Sequence, residues 1–94
     1  MDSVINRIVL ITTKGCEACK IANDNILNAL NQTSLNVDFS VKDISEVPKK
    51  MVRDYKIKDF PTVLYYFNDT LCTIKTGSYP TAVYLRWIDM YFKK

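Results

Sequence analysis

The chain has no histidine at all. That removes the usual general base at neutral pH, the commonest zinc ligand, and every Cys-His or Ser-His nucleophilic pair. Cysteine is sparse and odd in number, with three in 94 residues, which excludes the even, dense set that staples small secreted domains. Long apolar runs are missing too. Ile8-Val9-Leu10-Ile11 stops at Thr12-Thr13, too short for the core of a secretory leader or for a bilayer span, and Met1 to Asn6 already carries Asp2. Two glycines and three prolines leave no linker or low-complexity tract. No basic block accompanies the formal charge of +3. Lys49-Lys50, Arg53, Lys56 and Lys58 are interrupted by Asp54 and Asp59, which reads as a solvated helix surface rather than a nucleic-acid face. These absences set the expectation of a soluble monomer in a reducing compartment, the cytoplasm, that binds neither membrane nor nucleic acid.

With 48% apolar residues, the chain has enough to bury for a single domain spanning residues 1–94. Arg7 to Thr12 is β-branched and continuously apolar at its centre, as a strand covered on both faces should be. From Cys16 to about Asn31 the pattern turns helical: Ala22, Ile26, Ala29 and Leu30 share a face, with Asn23, Asp24, Asn28 and Asn31 opposite. Asn36 to Val41 alternates Val37, Phe39 and Val41 against polar neighbours, a half-exposed strand. Ser45 is placed to cap a short helix from Pro48 to Tyr55, since proline suits a first turn. Pro61 to Phe67 is a dense apolar strand. Asn68-Asp69 turns it into Thr70 to Lys75, and Gly77-Ser78-Tyr79-Pro80 breaks the chain before a last helix with Val83, Tyr84, Trp87, Ile88 and Tyr91 on one face. The order β-α-β-α-β-β-α gives an α/β fold, a four-stranded mixed sheet flanked by helices.

Chemistry concentrates at Cys16-Glu17-Ala18-Cys19. A strand that ends in Gly15-Cys16 and passes directly into a helix leaves the first thiol over that helix's unpaired N–H groups, where negative charge is favoured. The second thiol, one turn on, can close a disulfide with it. Cys16 is the candidate nucleophile and Cys19 the resolving thiol, a redox-active pair needing no cofactor. Lys14 and Lys20 add positive charge, whereas Glu17 opposes a thiolate at its neighbour. The rival chemistries are an inert core pair or half of a metal site. Zinc needs four ligands, and one chain offers two adjacent thiols and a distant one, so a metal or iron–sulfur site would require two chains; no metal is expected.

This order of elements, with Cys-x-x-Cys after the first strand, resembles the thioredoxin fold. Tyr55-Lys56-Ile57-Lys58-Asp59-Phe60-Pro61-Thr62 is similar to the thioredoxin segment in which a short helix leads into a cis proline. Gly77 resembles the glycine ahead of that family's final helix, and Lys20 after the second cysteine also matches. The resemblance covers about Arg7 to Phe92. It implies a thiol–disulfide oxidoreductase acting on protein disulfides, with a reductase or glutathione as electron donor. It also implies a cis Pro61 facing the dithiol and a Phe60 backbone that pairs with an extended substrate, so Gly15, Glu17, Ala18, Phe60 and Pro61 become the substrate-binding residues. Composition alone makes Phe60 an ordinary core aromatic just as readily.

Departures from that family bear on the chemistry. Thioredoxins usually carry Trp before the first cysteine and Gly-Pro between the two; here stand Gly15 and Glu17-Ala18. Their buried aspartate falls by spacing at Leu10. The chain is glutaredoxin-sized, yet Asn68-Asp69-Thr70-Leu71 lacks the glycines of a glutathione site. Alternatives to the thioredoxin-like enzyme are therefore a glutathione-dependent glutaredoxin and a non-catalytic interaction scaffold. Cys72 is expected to be a buried structural cysteine, or else a regulatory thiol, and Tyr65, Tyr66, Phe67 and Trp87 to be core or partial core.

Overall fold

Two stretches of β-branched and aromatic residues dictate the centre of the molecule. The computed structural model describes residues 5–92, and residues 1–4, weighed above against a secretory leader, lie outside the described residues. Strand β1 (Asn6–Thr12) and strand β3 (Thr62–Phe67) occupy the middle of a four-stranded sheet. Strands β2 (Val37–Asp43) and β4 (Thr70–Thr76) form its edges, in the order β2-β1-β3-β4. β1 runs parallel to β2, with Leu10 beside Val41, and antiparallel to β3, with Ile11 beside Thr62. The mixed sheet follows from the connections: a helical crossover returns the chain parallel, and a two-residue turn returns it antiparallel.

Each face of the central strands is covered, which is why their sequences are apolar without alternation. On one face, helices α1 (Glu17–Gln32) and α3 (Thr81–Phe92) pack against Ile8, Leu10, Val63 and Tyr65. Ala22, Ile26 and Ala29 of α1 and Tyr84, Ile88 and Phe92 of α3 are buried there. The other face is smaller. Ile11 and Leu64 meet Val47 and Ile57 from the segment that contains helix α2 (Lys49–Asp54). Truncating Ile26, fully buried in the larger core, to Ala would remove about 2–5 kcal/mol.

Local chemistry sets the connections. Asn68 and Asp69 both take left-handed φ values, 51° and 67°, the conformation that matches a tight hairpin to strand twist. The Asn68 side chain accepts from the Ile5 N–H at 3.0 Å and ties the turn to the start of β1. Ser45 does not cap α2; a side-chain cap forms one element earlier, at Asp43. Its carboxylate accepts from the Ser45 N–H, while Glu46 reaches back to the Asp43 N–H, a reciprocal box closing a 3-10 turn at Ile44–Glu46. α2 itself begins at Pro48 without a side-chain cap. Asp43 caps the 3-10 turn because it ends β2 one position before it, where a carboxylate can reach the first free N–H groups.

Two burial expectations are overturned. Cys72 is exposed, not structural core. The β3–β4 ladder pairs Tyr65 with Thr73 but Tyr66 with Leu71, which leaves Cys72 as the extra residue of a bulge on an edge strand. Val41 is 47% exposed, because a cleft opens between it and the first turns of α1. The four aromatics do lie in or against the cores: Tyr65 is fully buried, Phe67 and Trp87 pack against the larger core, and Tyr66 against the smaller. The basic residues around α2 lie on the surface, with Lys50 paired to Asp54 at 2.8 Å.

Burial, followed by a hydrogen bond and repulsion from Tyr55, pushes the Tyr66 phenol up from 10.0 to about 12. The unfolded chain therefore ionises this group before the folded one does. Its contribution to stability is fully present below pH 10.0 and is lost as the pH rises toward about 12. Denaturant titrations from pH 9 to 12 should show stability falling through this window, and Tyr66→Phe should flatten the fall. An identical slope in the variant would remove Tyr66 as a cause.

Candidate active site

β1 ends at Thr12 and the next residues must turn the chain upward into α1. Gly15 makes that turn at φ +69°, and an added Cβ would meet no atom within 4 Å. Glycine is required here by backbone conformation, not by space. Cys16 follows as the N-cap of α1, with extended φ and ψ of −94° and 100°. Its Sγ accepts from the Cys19 N–H at 3.1 Å, so sulfur occupies the place that a Ser or Asp oxygen holds in ordinary caps.

Cys16 and Cys19 are joined as a disulfide, with Cα atoms 5.2 Å apart. Their environments differ. Cys16 is half-buried, whereas Cys19, one turn on, is 3% exposed. In the reduced form a thiolate at Cys16 would lie over the free N–H groups of the first turn and the positive end of the helix dipole. Exchange needs this asymmetry: one sulfur that a substrate can reach and one that waits behind it.

Charged side chains flank the pair. Glu17 stands in the first turn and pairs with Lys20 at 3.7 Å, both well exposed. Lys14 exerts its attraction on Asp43, whose carboxyl is held below the usual carboxylate range mainly by the Ser45 hydroxyl and N–H, with a lesser contribution from Lys14.

An open cleft of about 260 Å³ borders the disulfide, lined by Thr12, Thr13, Gly15, Cys16, Cys19, Lys20, Asn23 and Val41. Gly15, Cys16 and Cys19 thus all border the cleft. Glu17 is exposed and Ala18 half-buried on the first turn beside it. Phe60 and Pro61 reach the same end of the sheet by another route. Ile11 pairs with Thr62, so the residues that follow β1 and those that precede β3 leave the sheet side by side. The Phe60–Pro61 bond is cis. Pro61 is buried, and Phe60, half-buried, packs against the smaller core. Leu10, where the resemblance sought a carboxylate, is fully buried among apolar side chains.

Thr12, Thr13, Asn23 and Val41 were not foreseen at this site. Asn23 lies one turn beyond Cys19, a spacing that would have put it on the same side of α1. Val41 could not be found that way, because only the parallel pairing of β1 with β2 brings it there. Cys72 stands apart on β4, and among the described residues no three Cys, Asp or Glu side chains converge. No helix of the described residues is long and apolar enough to cross a membrane.

Solved structures supply the comparison. Thioredoxin-2 of a malaria parasite superposes with a TM-score of 0.79 over 97% of this chain and 87% of its own, at 14% identity. The chain has a thioredoxin-like fold. Chloroplast thioredoxin z matches this thioredoxin-like chain with a TM-score of 0.75 at 17% identity, over 92% of the chain and 77% of its own length. A further malarial protein gives 0.76 at 15% identity, over 94% and 98%. No family model and no curated protein matches the sequence. At such identities the likeness establishes architecture, and the chemistry rests on the residues themselves.

Two substitutions test the local physics. Gly15→Ala should lower stability by about 1–2 kcal/mol in thermal or denaturant unfolding, the cost of a left-handed alanine, while the Cys16–Cys19 disulfide still forms. Glu17→Gln should lower the Cys16 thiol pKa and speed alkylation of the reduced protein at pH 6–7 by about twofold at low salt. Unchanged alkylation would mean that Lys20 already cancels the Glu17 charge.

Proposed function

We propose that this protein is a thiol–disulfide oxidoreductase that reduces or exchanges protein disulfides in a reducing compartment such as the cytoplasm, as a monomer. The observation that carries the reading is the unequal pair: a half-buried Cys16 at the N-cap of α1 and a buried Cys19 one turn on, able to close a disulfide. In the reduced form the Cys16 thiolate attacks one sulfur of a substrate disulfide. That bond breaks, the attacked sulfur stays on Cys16 as a mixed disulfide, and the other substrate sulfur leaves as a thiolate that takes a proton from water. The Cys19 thiolate then attacks Cys16 Sγ, closes the Cys16–Cys19 bond and releases the second substrate sulfur. Two electrons pass to the substrate, and an external dithiol reductase or glutathione returns them.

Gly15, Glu17 and Ala18 surround the reacting sulfur, and the Phe60–Pro61 backbone offers an extended substrate a main-chain edge. Recognition of this kind depends little on substrate side chains, which suits broad protein substrates. A glutathione-dependent enzyme and a scaffold that uses the dithiol as a clip predict different outcomes in the same assay.

Cys16→Ser should abolish reduction of a protein disulfide, a loss of at least about a thousandfold, because no other described thiol stands at the helix terminus. Cys19→Ser should accumulate a mixed disulfide through Cys16, visible as a substrate adduct by intact-protein mass spectrometry. Retained turnover in Cys16→Ser would overturn the reading, and complexes that survive that change without turnover would favour the scaffold.

A further inference from the structure

An asparagine inside a helix is a poor helix former unless its amide is used elsewhere. Asn25, on α1 and half-buried, uses both ends of its amide. Its Nδ2 donates to the Tyr79 carbonyl at 2.9 Å, and its Oδ1 accepts from the Thr81 hydroxyl at 3.3 Å. The Tyr79 carbonyl can only accept, so the amide orientation is set by its partner.

The segment gripped in this way continues to Pro61. The Tyr84 hydroxyl accepts from the Tyr79 N–H at 3.2 Å and lies 3.5 Å from the Gly77 carbonyl, to which it donates. Gly77, at φ +102°, donates its own N–H to the Pro61 carbonyl at 2.8 Å. A continuous set of hydrogen bonds therefore runs from the helix that carries Cys16 and Cys19, through residues 77–81, to the proline beside β3.

We propose that Asn25 is a positioning residue that holds the Phe60–Pro61 edge at a set distance and angle from the dithiol, and so sets how well the protein handles extended protein disulfides. This rests on the oxidoreductase reading. A protein substrate held along Phe60–Pro61 must present its sulfur to Cys16 in line, and a misplacement of about 1 Å is enough to cost a large factor in rate. A small disulfide that touches only Cys16 makes no such demand. The pair's own thiol chemistry is set by the α1 terminus and does not pass through Asn25.

The test compares two disulfides on the reduced full chain: insulin as the protein disulfide and a small aromatic disulfide. Asn25→Ala should raise KM for insulin or lower kcat/KM by about 5–20-fold. The rate with the small disulfide and the equilibrium between the Cys16–Cys19 pair and a dithiol buffer should stay within about twofold of the unchanged protein. Thr81→Val, which replaces the hydroxyl by a methyl, should show the same selective loss more weakly, and Thr81→Ser, which keeps the hydroxyl, should behave as the unchanged protein. Equal loss with both disulfides, or no loss with either in both Asn25→Ala and Thr81→Val, would overturn the positioning role. If the unchanged protein turns over neither disulfide, the oxidoreductase reading falls first and takes this inference with it, an outcome visible before any variant is made.

Discussion

Strand β1 is hydrogen-bonded on both sides, and most of the molecule depends on that. Its parallel partner β2 forces the chain to travel back along one face, and α1 is the crossover that does so. Its antiparallel partner β3 places Thr62 beside Ile11, so the Phe60–Pro61 bond and the turn into α1 leave the sheet at the same end. A register slip by one residue in either ladder would turn Ile8 and Leu10 away from α1 and α3. The dithiol would then lose both its platform and its neighbour. Packing reinforces the register from both faces: Leu10 and Val63 are buried against α1 and α3, and Ile11 and Leu64 against the segment around α2.

The site is the direct consequence of ending that strand abruptly. Gly15 takes a backbone conformation open to few residues, and Cys16 becomes a cap whose sulfur meets the first free N–H groups of α1. A helix terminus offers positive potential without a side-chain cation. The same helix, two turns further on, carries Asn25 and joins the dithiol's platform to the segment that registers Pro61.

How much of this was legible varied with the range of the interaction. Helices, strands and the Asn68-Asp69 turn are governed by neighbours within a few residues, and their positions could be read closely. Cys16 and Cys19 were legible for the same reason, since only two residues separate them, and the helix begins between them. Ser45 does not cap α2, because its own N–H is taken up in the preceding turn by Asp43 and α2 starts after Pro48 without a side-chain cap. Cys72 was misread because burial follows from which strand lies at an edge and where a bulge falls, and neither is written in the residues around it. Val41 and Asn25 owe their places to partners distant in the chain, β1 and residues 79–81, so their roles had no local signal.

By itself, the sequence determined the element order, the two apolar faces of the central strands, the dithiol at a helix start and the exclusion of histidine chemistry, because periodicity and local capping depend only on near neighbours. Tertiary structure decided which thiol is sheltered, which side chains open the cleft beside it, that Pro61 leaves the sheet at the same end as the dithiol, and that Cys72 faces solvent. These depend on strand order, register and long-range hydrogen bonds, and those are settled only when the whole sheet closes against its helices.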